Sequence, residues 1–177
     1  MSFGPRLPSA GAVLLLIAGV VLLFLTKGEG EDGGRDRHEE PAGKSVDAVV
    51  VRVVDGDTAE MELQNGGTEG VRFIGVDTPE SVAPGQPVEC FGKKASRFTT
   101  GLLEGKRVTL RFGEERRDVY DRLLAYVYLD GKFVNAELVR LGYAQTLEIA
   151  PNVDYAENFA RLQQSAANAG LGLWRAC

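Results

Sequence analysis

Arg72-Phe73-Ile74-Gly75-Val76-Asp77-Thr78-Pro79-Glu80 places one guanidinium and two carboxylates within nine residues, on a segment that begins strand-like and breaks at a proline. Arg72 shares a strand periodicity with Ile74 and Val76. An arginine on an apolar face needs an anionic partner, because an unpaired buried charge is costly. Two partners satisfy that need. One is a carboxylate of the chain, Asp77 or Glu80, in a structural salt bridge. The other is a phosphate, whose oxygens match the guanidinium fork. Upstream, Asp55-Gly56-Asp57-Thr58 adds carboxylates at a turn. Asp57, Asp77 and Glu80 carry hard oxygens of the kind that suit calcium or magnesium. An EF-hand is excluded, because the position of its bidentate glutamate, counted from Asp55, holds Gly66. A divalent ion would therefore draw ligands from two segments. Asp and Gly also favour turns for conformational reasons of their own, so neither tetrapeptide is specific alone. Arg122 lies at a third place, a strand entrance within Asp118 to Tyr126. Together, two arginines, a carboxylate base and a carboxylate-held cation match the needs of phosphodiester hydrolysis. Charge that builds on phosphorus is stabilised by the cations, and water gives its proton to a glutamate.

The elements that must position these residues are legible from patterning. Val46–Val54 is β-branched and strand-like, Thr58–Leu63 alternates, and Val71–Val76 is a third strand, so the three read as a meander. Residues 81–88 hold two prolines and a glycine and form a loop. Phe91, Ala95, Phe98 and Leu102 recur at helical spacing, and Gly105 marks the helix end. Val108–Phe112 and Leu123–Leu129 are two further strands. Asn135 is placed to cap a short helix through Leu138 and Leu141 to Gly142. Tyr155, Phe159, Leu162 and Ala166 define a last helical face. Five strands with three interspersed helices predict an α+β fold, a small closed five-stranded β-barrel of the oligonucleotide-binding (OB) type.

The chain has 177 residues and a net charge of −5. Its folded portion, residues 45–177, carries 15 Lys and Arg against 19 Asp and Glu, a net charge of −4. That argues against a passive nucleic-acid coat, which needs a basic face, while leaving room for an enzyme that grips one phosphate locally. A single histidine, His38, excludes histidine-dependent nuclease and zinc chemistry. At the N-terminus, Arg6 precedes an apolar run over residues 10–25 (AGAVLLLIAGVVLLFL), and Glu29, Glu31 and Asp32 follow it. The run reads as a signal anchor or a signal peptide over residues 1–26, and the charge asymmetry puts the C-terminal bulk outside the cytoplasm, membrane-tethered through a single span or secreted. Residues 27–44 lack large apolar side chains and form a flexible charged linker that includes His38. In an oxidising compartment an exposed terminal thiol would be a liability, so Cys90 and Cys177 are expected to form a disulfide.

Val54-Asp55-Gly56-Asp57-Thr58, Arg72 with Val76-Asp77-Thr78-Pro79-Glu80, Asp118 to Tyr128 with Arg122, and Lys132 to Gly142 (KFVNAELVRLG) occur in this order over about residues 46–174. In these motifs, and in Gly92, Ala95, Phe98 and Gly172-Leu173-Trp174, the chain resembles the staphylococcal nuclease (thermonuclease) family. The resemblance implies an OB barrel with three helices and calcium-dependent hydrolysis of DNA and RNA to products ending in 3′-phosphate. It implies Asp57 and Asp77 as carboxylate ligands of Ca2+ and Thr78 as a ligand through its backbone carbonyl. It implies Glu80 as general base, Arg72 and Arg122 as the pair gripping the scissile phosphate, and Asp55 as a supporting residue. Tyr120 is retained as a substrate contact. Val119 stands where the family carries lysine, and Leu147-Glu148-Ile149-Ala150 where it carries tyrosines, so the cationic and stacking contacts to a single strand differ. The expected partner is nucleic acid, bound by a monomer. The rival reading is a catalytically silent OB module at the cell surface, which would have no need of Arg72, Glu80 and Arg122 together.

Overall fold

The computed structural model describes residues 1, 45–64, 66–81 and 87–177. The apolar run 10–25 and the charged linker, with the expectations attached to them, lie outside the described residues. Among the described residues no helix is long and apolar enough to cross a membrane. The chain divides into residues 1–40 and residues 41–177, and the described elements all belong to the second unit.

The strands are β1 (Ser45–Asp55), β2 (Thr58–Leu63), β3 (Thr68–Phe73), β4 (Val76–Asp77), β5 (Arg107–Arg117), β6 (Leu123–Leu129), β7 (Lys132–Phe133) and β8 (Gln145–Thr146). The helices are α1 (Gly92–Leu103), α2 (Val134–Arg140), α3 (Ala156–Asn168) and the single turn α4 (Leu173–Ala176). The main sheet has the order β3-β2-β1-β5-β6-β7. Parallel pairing of β3 with β6, through Val71–Leu123 and Phe73–Ala125, closes the five long strands into a barrel. This is the OB-type α+β architecture expected from the strand pattern. Val50, Met61, Val71, Phe73, Leu110 and Val127 fill the barrel with almost no solvent exposure.

Three local departures from the expected elements bear on the site. The third strand ends at Phe73 rather than running to Val76. Gly75 adopts φ 78° there, and the space a Cβ would take is occupied by the ring of Phe159, whose Cε2 would lie only 2.4 Å away. Beyond that turn β4 pairs with β8. The buried stripe of α1 is Gly92, Ala95, Thr99 and Leu103, rotated from the expected one, with Phe98 and Leu102 packed at its margin. Asn135 does not cap α2. Phe133 holds the N-cap position without a side-chain bond, and buried Asn135 instead accepts from Val127 N (2.9 Å) and donates to Ile74 O (2.8 Å). It thus ties β6 to the turn that re-aims the chain before Asp77. The reason is one of supply: the Ile74 carbonyl and Val127 amide are buried by the turn and must be paired.

Candidate active site

β1 ends in Asp55, and the two-residue turn Gly56-Asp57 leads directly into β2. Two contacts from distant segments hold this turn. The Thr99 hydroxyl on α1 donates to Gly56 O at 2.7 Å. The Thr78 side chain lies where a Cβ on Gly56 would come within 2.6 Å of its Oγ1, so only glycine fits. Asp57, buried by this packing, accepts from Thr78 N (2.7 Å) and Thr78 Oγ1 (2.9 Å) through Oδ2 and from Thr58 Oγ1 (3.1 Å) through Oδ1.

Arg72 leaves β3 on the face opposite the barrel core and folds back over the Ile74-Gly75 turn. Its Nη1 donates to Val76 O (2.8 Å) and Phe73 O (3.3 Å) and lies 3.2 Å from Asp57 Oδ2. Its Nη2 donates to Asp77 Oδ1 at 2.9 Å. The salt-bridge reading of Arg72 therefore holds for Asp77, with Asp57 as a second anion. Nε makes no hydrogen bond among the described residues, which leaves one edge of the fork for another anion. Partial burial pushes the Asp77 carboxyl above its ordinary range. Arg72 opposes that shift, while the charges of Asp57 and Glu89 add to it.

Glu80 follows Thr78 by two residues. Its backbone is gripped by Glu89, which accepts from Glu80 N (3.0 Å) and donates its own N–H to Glu80 O (2.9 Å). A carboxylate oxygen of Glu80 accepts from Ser81 N at 2.9 Å. Ser81 Oγ donates to Asp55 Oδ1 at 2.6 Å, so Ser81 stands between the Asp55 and Glu80 carboxyls. Burial, with smaller contributions from Glu80 and Asp57, pushes Asp55 up against the lowering bonds from Ser81 and Gly56.

Arg122 stands apart from this cluster. Asp118 Oδ2 takes its Nε and Nη2, both at 2.7 Å, and Asp118 Oδ1 takes the Tyr120 and Arg122 amides at 3.0 Å each. Burial raises the Asp118 carboxyl, but these four bonds outweigh it and leave it below the ordinary carboxylate range. The Arg122 guanidinium also lies 5.3 Å from the centre of the exposed Tyr120 ring. Arg72 and Arg122 line one cleft of about 350 Å³, walled by Tyr120, Val119, Leu147 and Ile149. Asp57, Asp77 and Glu80 do not line it. Arg72 thus both lines the cleft and touches Asp57 and Asp77.

The predicted residues are gathered in two groups: Arg72, Asp57, Asp77 and Thr78 in mutual contact with Asp55 and Glu80 beside them, and Arg122 with Tyr120 across the cleft. Cys90 and Cys177 form a disulfide with an S–S distance of 2.20 Å. Sequence reasoning missed four supports: Thr99, Ser81, Glu89 and Asn152. Buried Asn152 accepts from Glu115 N (2.9 Å) and donates to Glu115 O (2.8 Å), fastening the loop that carries Leu147 and Ile149 to the edge of β5. Asp118 meets Arg122 because the turn between β5 and β6 brings its carboxylate onto both the Arg122 amide and guanidinium, whereas nothing local marks Thr99 or Asn152.

The donor chemistry suits a hard cation. Among the described residues no three acidic, histidine or cysteine side chains converge as a metal site. Two carboxylates, Asp57 and Asp77, do meet on one guanidinium, and carboxylate oxygens are hard donors that suit calcium or magnesium rather than a soft metal.

Comparison with known proteins places this geometry. The sequence pattern of the family described as Staphylococcal nuclease homologue matches residues 70–176. The chain is 38% identical over 166 residues to the thermonuclease of Staphylococcus intermedius, covering 94% of this chain and 96% of that protein. It is 34% identical over 166 residues to the thermonuclease of Staphylococcus hyicus, covering 92% and 95%. It is 37% identical over 139 residues to endonuclease YncB of Bacillus subtilis (strain 168), covering 77% and 65%. With its motifs in the same order on a closed five-stranded barrel, the chain belongs to the staphylococcal nuclease family.

Proposed function

We propose that this chain is a calcium-dependent nuclease that hydrolyses phosphodiester bonds of DNA or RNA and leaves 3′-phosphate ends. The nuclease activity follows from the family and from its thermonuclease and endonuclease relatives. The observation that carries the finer reading is the position of Arg72, which joins the cleft to the carboxylate group. A phosphate in the cleft would take the free Nε edge of Arg72 and the Nη1 of Arg122, which makes no hydrogen bond among the described residues. Asp118 holds the Arg122 guanidinium in place, so little side-chain entropy is lost when the phosphate arrives. The Glu80 carboxylate accepts the proton of the attacking water, the new P–O bond forms, and the bond to the 5′ oxygen breaks. The leaving oxygen takes a proton from solvent and ends as a 5′ hydroxyl. Asp57, Asp77 and the Thr78 carbonyl would hold the cation, which supplies positive charge against the charge that develops on phosphorus. Asp55 and Ser81 keep the Glu80 carboxylate in place. Tyr120 offers a ring against which a base stacks.

The full chain, assayed on single-stranded DNA, should cleave with calcium and stop with chelator. Glu80→Gln and Arg72→Ala should each lose activity and keep the fold. Well-folded protein that never cleaves with calcium would leave a binding module, and normal cleavage by Glu80→Gln would remove the base assignment. For the whole chain we read residues 1–26 as the anchor or signal, 27–44 as the tether and 45–177 as the nuclease domain, outside the cytoplasm. The charge asymmetry around the apolar run and the Cys90–Cys177 disulfide support that placement.

A further inference from the structure

The exposed side of α1 carries Lys93, Lys94 and Arg97, and the helix has no acidic residue. In a domain of net charge −4 this is a local concentration of positive charge. None of the three makes an ion pair among the described residues. Lys94 Nζ lies 5.2 Å from the centre of the Phe91 ring. Together with Phe91, Val88 and Ala176 they line a shallow groove of about 340 Å³. The groove has an apolar floor and a cationic rim, the combination that holds a single strand by its bases and its phosphates at once. Its position matters as much as its composition. Glu89, on the same groove, bonds the backbone of Glu80 in both directions. Gly92 brings the start of α1 so close that a Cβ there would lie 2.4 Å from Glu80 O. The groove shares no lining residue with the cleft of Arg72 and Arg122, and it reaches the segment Asp77–Glu80 from α1.

We propose that this groove is a second nucleic-acid subsite. It grips backbone phosphates of a strand that continues past the scissile bond, with Lys93, Lys94 and Arg97 as the contacts. The subsite makes the enzyme favour long single strands over short ones, and it compensates in part for the absence of a lysine at Val119. This rests on the nuclease reading of the cleft.

The test uses the full chain with calcium on two substrates, a dinucleotide and a 30-nucleotide single strand. The variant is Lys93→Glu/Lys94→Glu/Arg97→Glu, with Lys93→Arg/Lys94→Arg/Arg97→Lys as the charge-preserving control. The reversal variant should cleave the dinucleotide as the parent does. On the long strand its KM should rise by about tenfold or more at unchanged kcat. With about 0.7 in log–log salt slope for each phosphate contact to a single strand, three lost contacts should lower that slope by about 2. The control should restore both. An unchanged KM and slope, or an equal loss on both substrates, would overturn the subsite. If the parent cleaves neither substrate, the nuclease reading fails, and the anisotropy of a labelled 30-mer still decides the groove: the parent must bind and the reversal variant must not. Loss of binding to phosphatidylglycerol vesicles with unchanged strand binding would assign the groove to lipid headgroups and overturn the proposal.

Discussion

Gly92→Ala is a sharp test of how Glu80, the proposed general base, is positioned, because the substituted atom never enters the cleft. A Cβ at Gly92 would stand 2.4 Å from Glu80 O and 2.9 Å from both Glu80 C and Pro79 O, where ordinary contact begins at 3.4 Å. The atoms in the way are backbone, so the helix start or the Pro79-Glu80 peptide must move by about 1 Å. The helix start is the stiffer side, since Ala95 and Thr99 are fully buried and Thr99 is bonded to Gly56. The displacement therefore falls on Glu80. Overpacking of this size costs about 1–3 kcal/mol of stability, which a domain of this length survives. A 1 Å misplacement of a catalytic group costs about 100-fold in rate. We expect kcat to fall by roughly that factor with KM for a dinucleotide within about threefold, read by steady-state cleavage beside a thermal unfolding curve. A folded Gly92→Ala protein with kcat within twofold of the parent would refute the claim that this contact sets the position of Glu80.

Asp118→Asn should loosen Arg122 and lower kcat/KM by roughly tenfold. Because the Asp118 carboxyl is held below its ordinary range, the pair's contribution is complete above the usual carboxylate pKa of about 4 and disappears as pH falls through the lowered value. The difference between parent and variant in anisotropy-measured strand binding should therefore shrink only below that pH, and a difference that grew on acidification would be incompatible. Asn152→Ala removes two buried bonds to the Glu115 backbone and should lower stability by about 2 kcal/mol in urea unfolding, and an unchanged midpoint would mean the loop is held by other contacts. Cys90→Ser/Cys177→Ser opens a loop with a sequence separation of 87 and should cost about 2–4 kcal/mol, roughly 10 °C in Tm. Reductant should lower the Tm of the parent and leave the variant where it is.

The chemistry of this chain was more legible than its scaffolding. Arg72, Asp77, Thr78 and Glu80 are close in sequence, so a single turn after β3 suffices to bring them together, and short motifs report them well. The five long strands followed from β-branched runs and alternation, which depend on neighbours two residues away. What could not be read was set by partners far along the chain. Val71–Val76 looks continuous, and it breaks at Gly75 because Phe159 fills the space above it. Asn135 looks like a cap, and its amide is taken by Ile74 O, 61 residues distant. Thr99 looks like a helix-surface threonine, and the Asp55–Asp57 turn depends on its hydroxyl. Arg72 was open between a salt bridge and a phosphate clamp; its Nη edge is committed to Asp57 and Asp77, and its Nε makes no hydrogen bond among the described residues.

The Cys90–Cys177 bond closes a covalent ring that contains α1, β5, β6, α2 and α3. Arg122 and Tyr120 lie within that ring, while Asp57, Arg72, Asp77 and Glu80 lie outside it. A protease that cuts once anywhere between these cysteines, for example in the exposed Val119–Tyr120 turn, leaves every fragment attached to the rest. A cut between Glu80 and Cys90 instead leaves the side of the site that holds Asp57, Asp77 and Glu80 joined to the Arg122 side by non-covalent packing alone. The ring thus divides the domain into a half in which a single nick releases nothing and a segment before it in which a nick can part the two sides of the site.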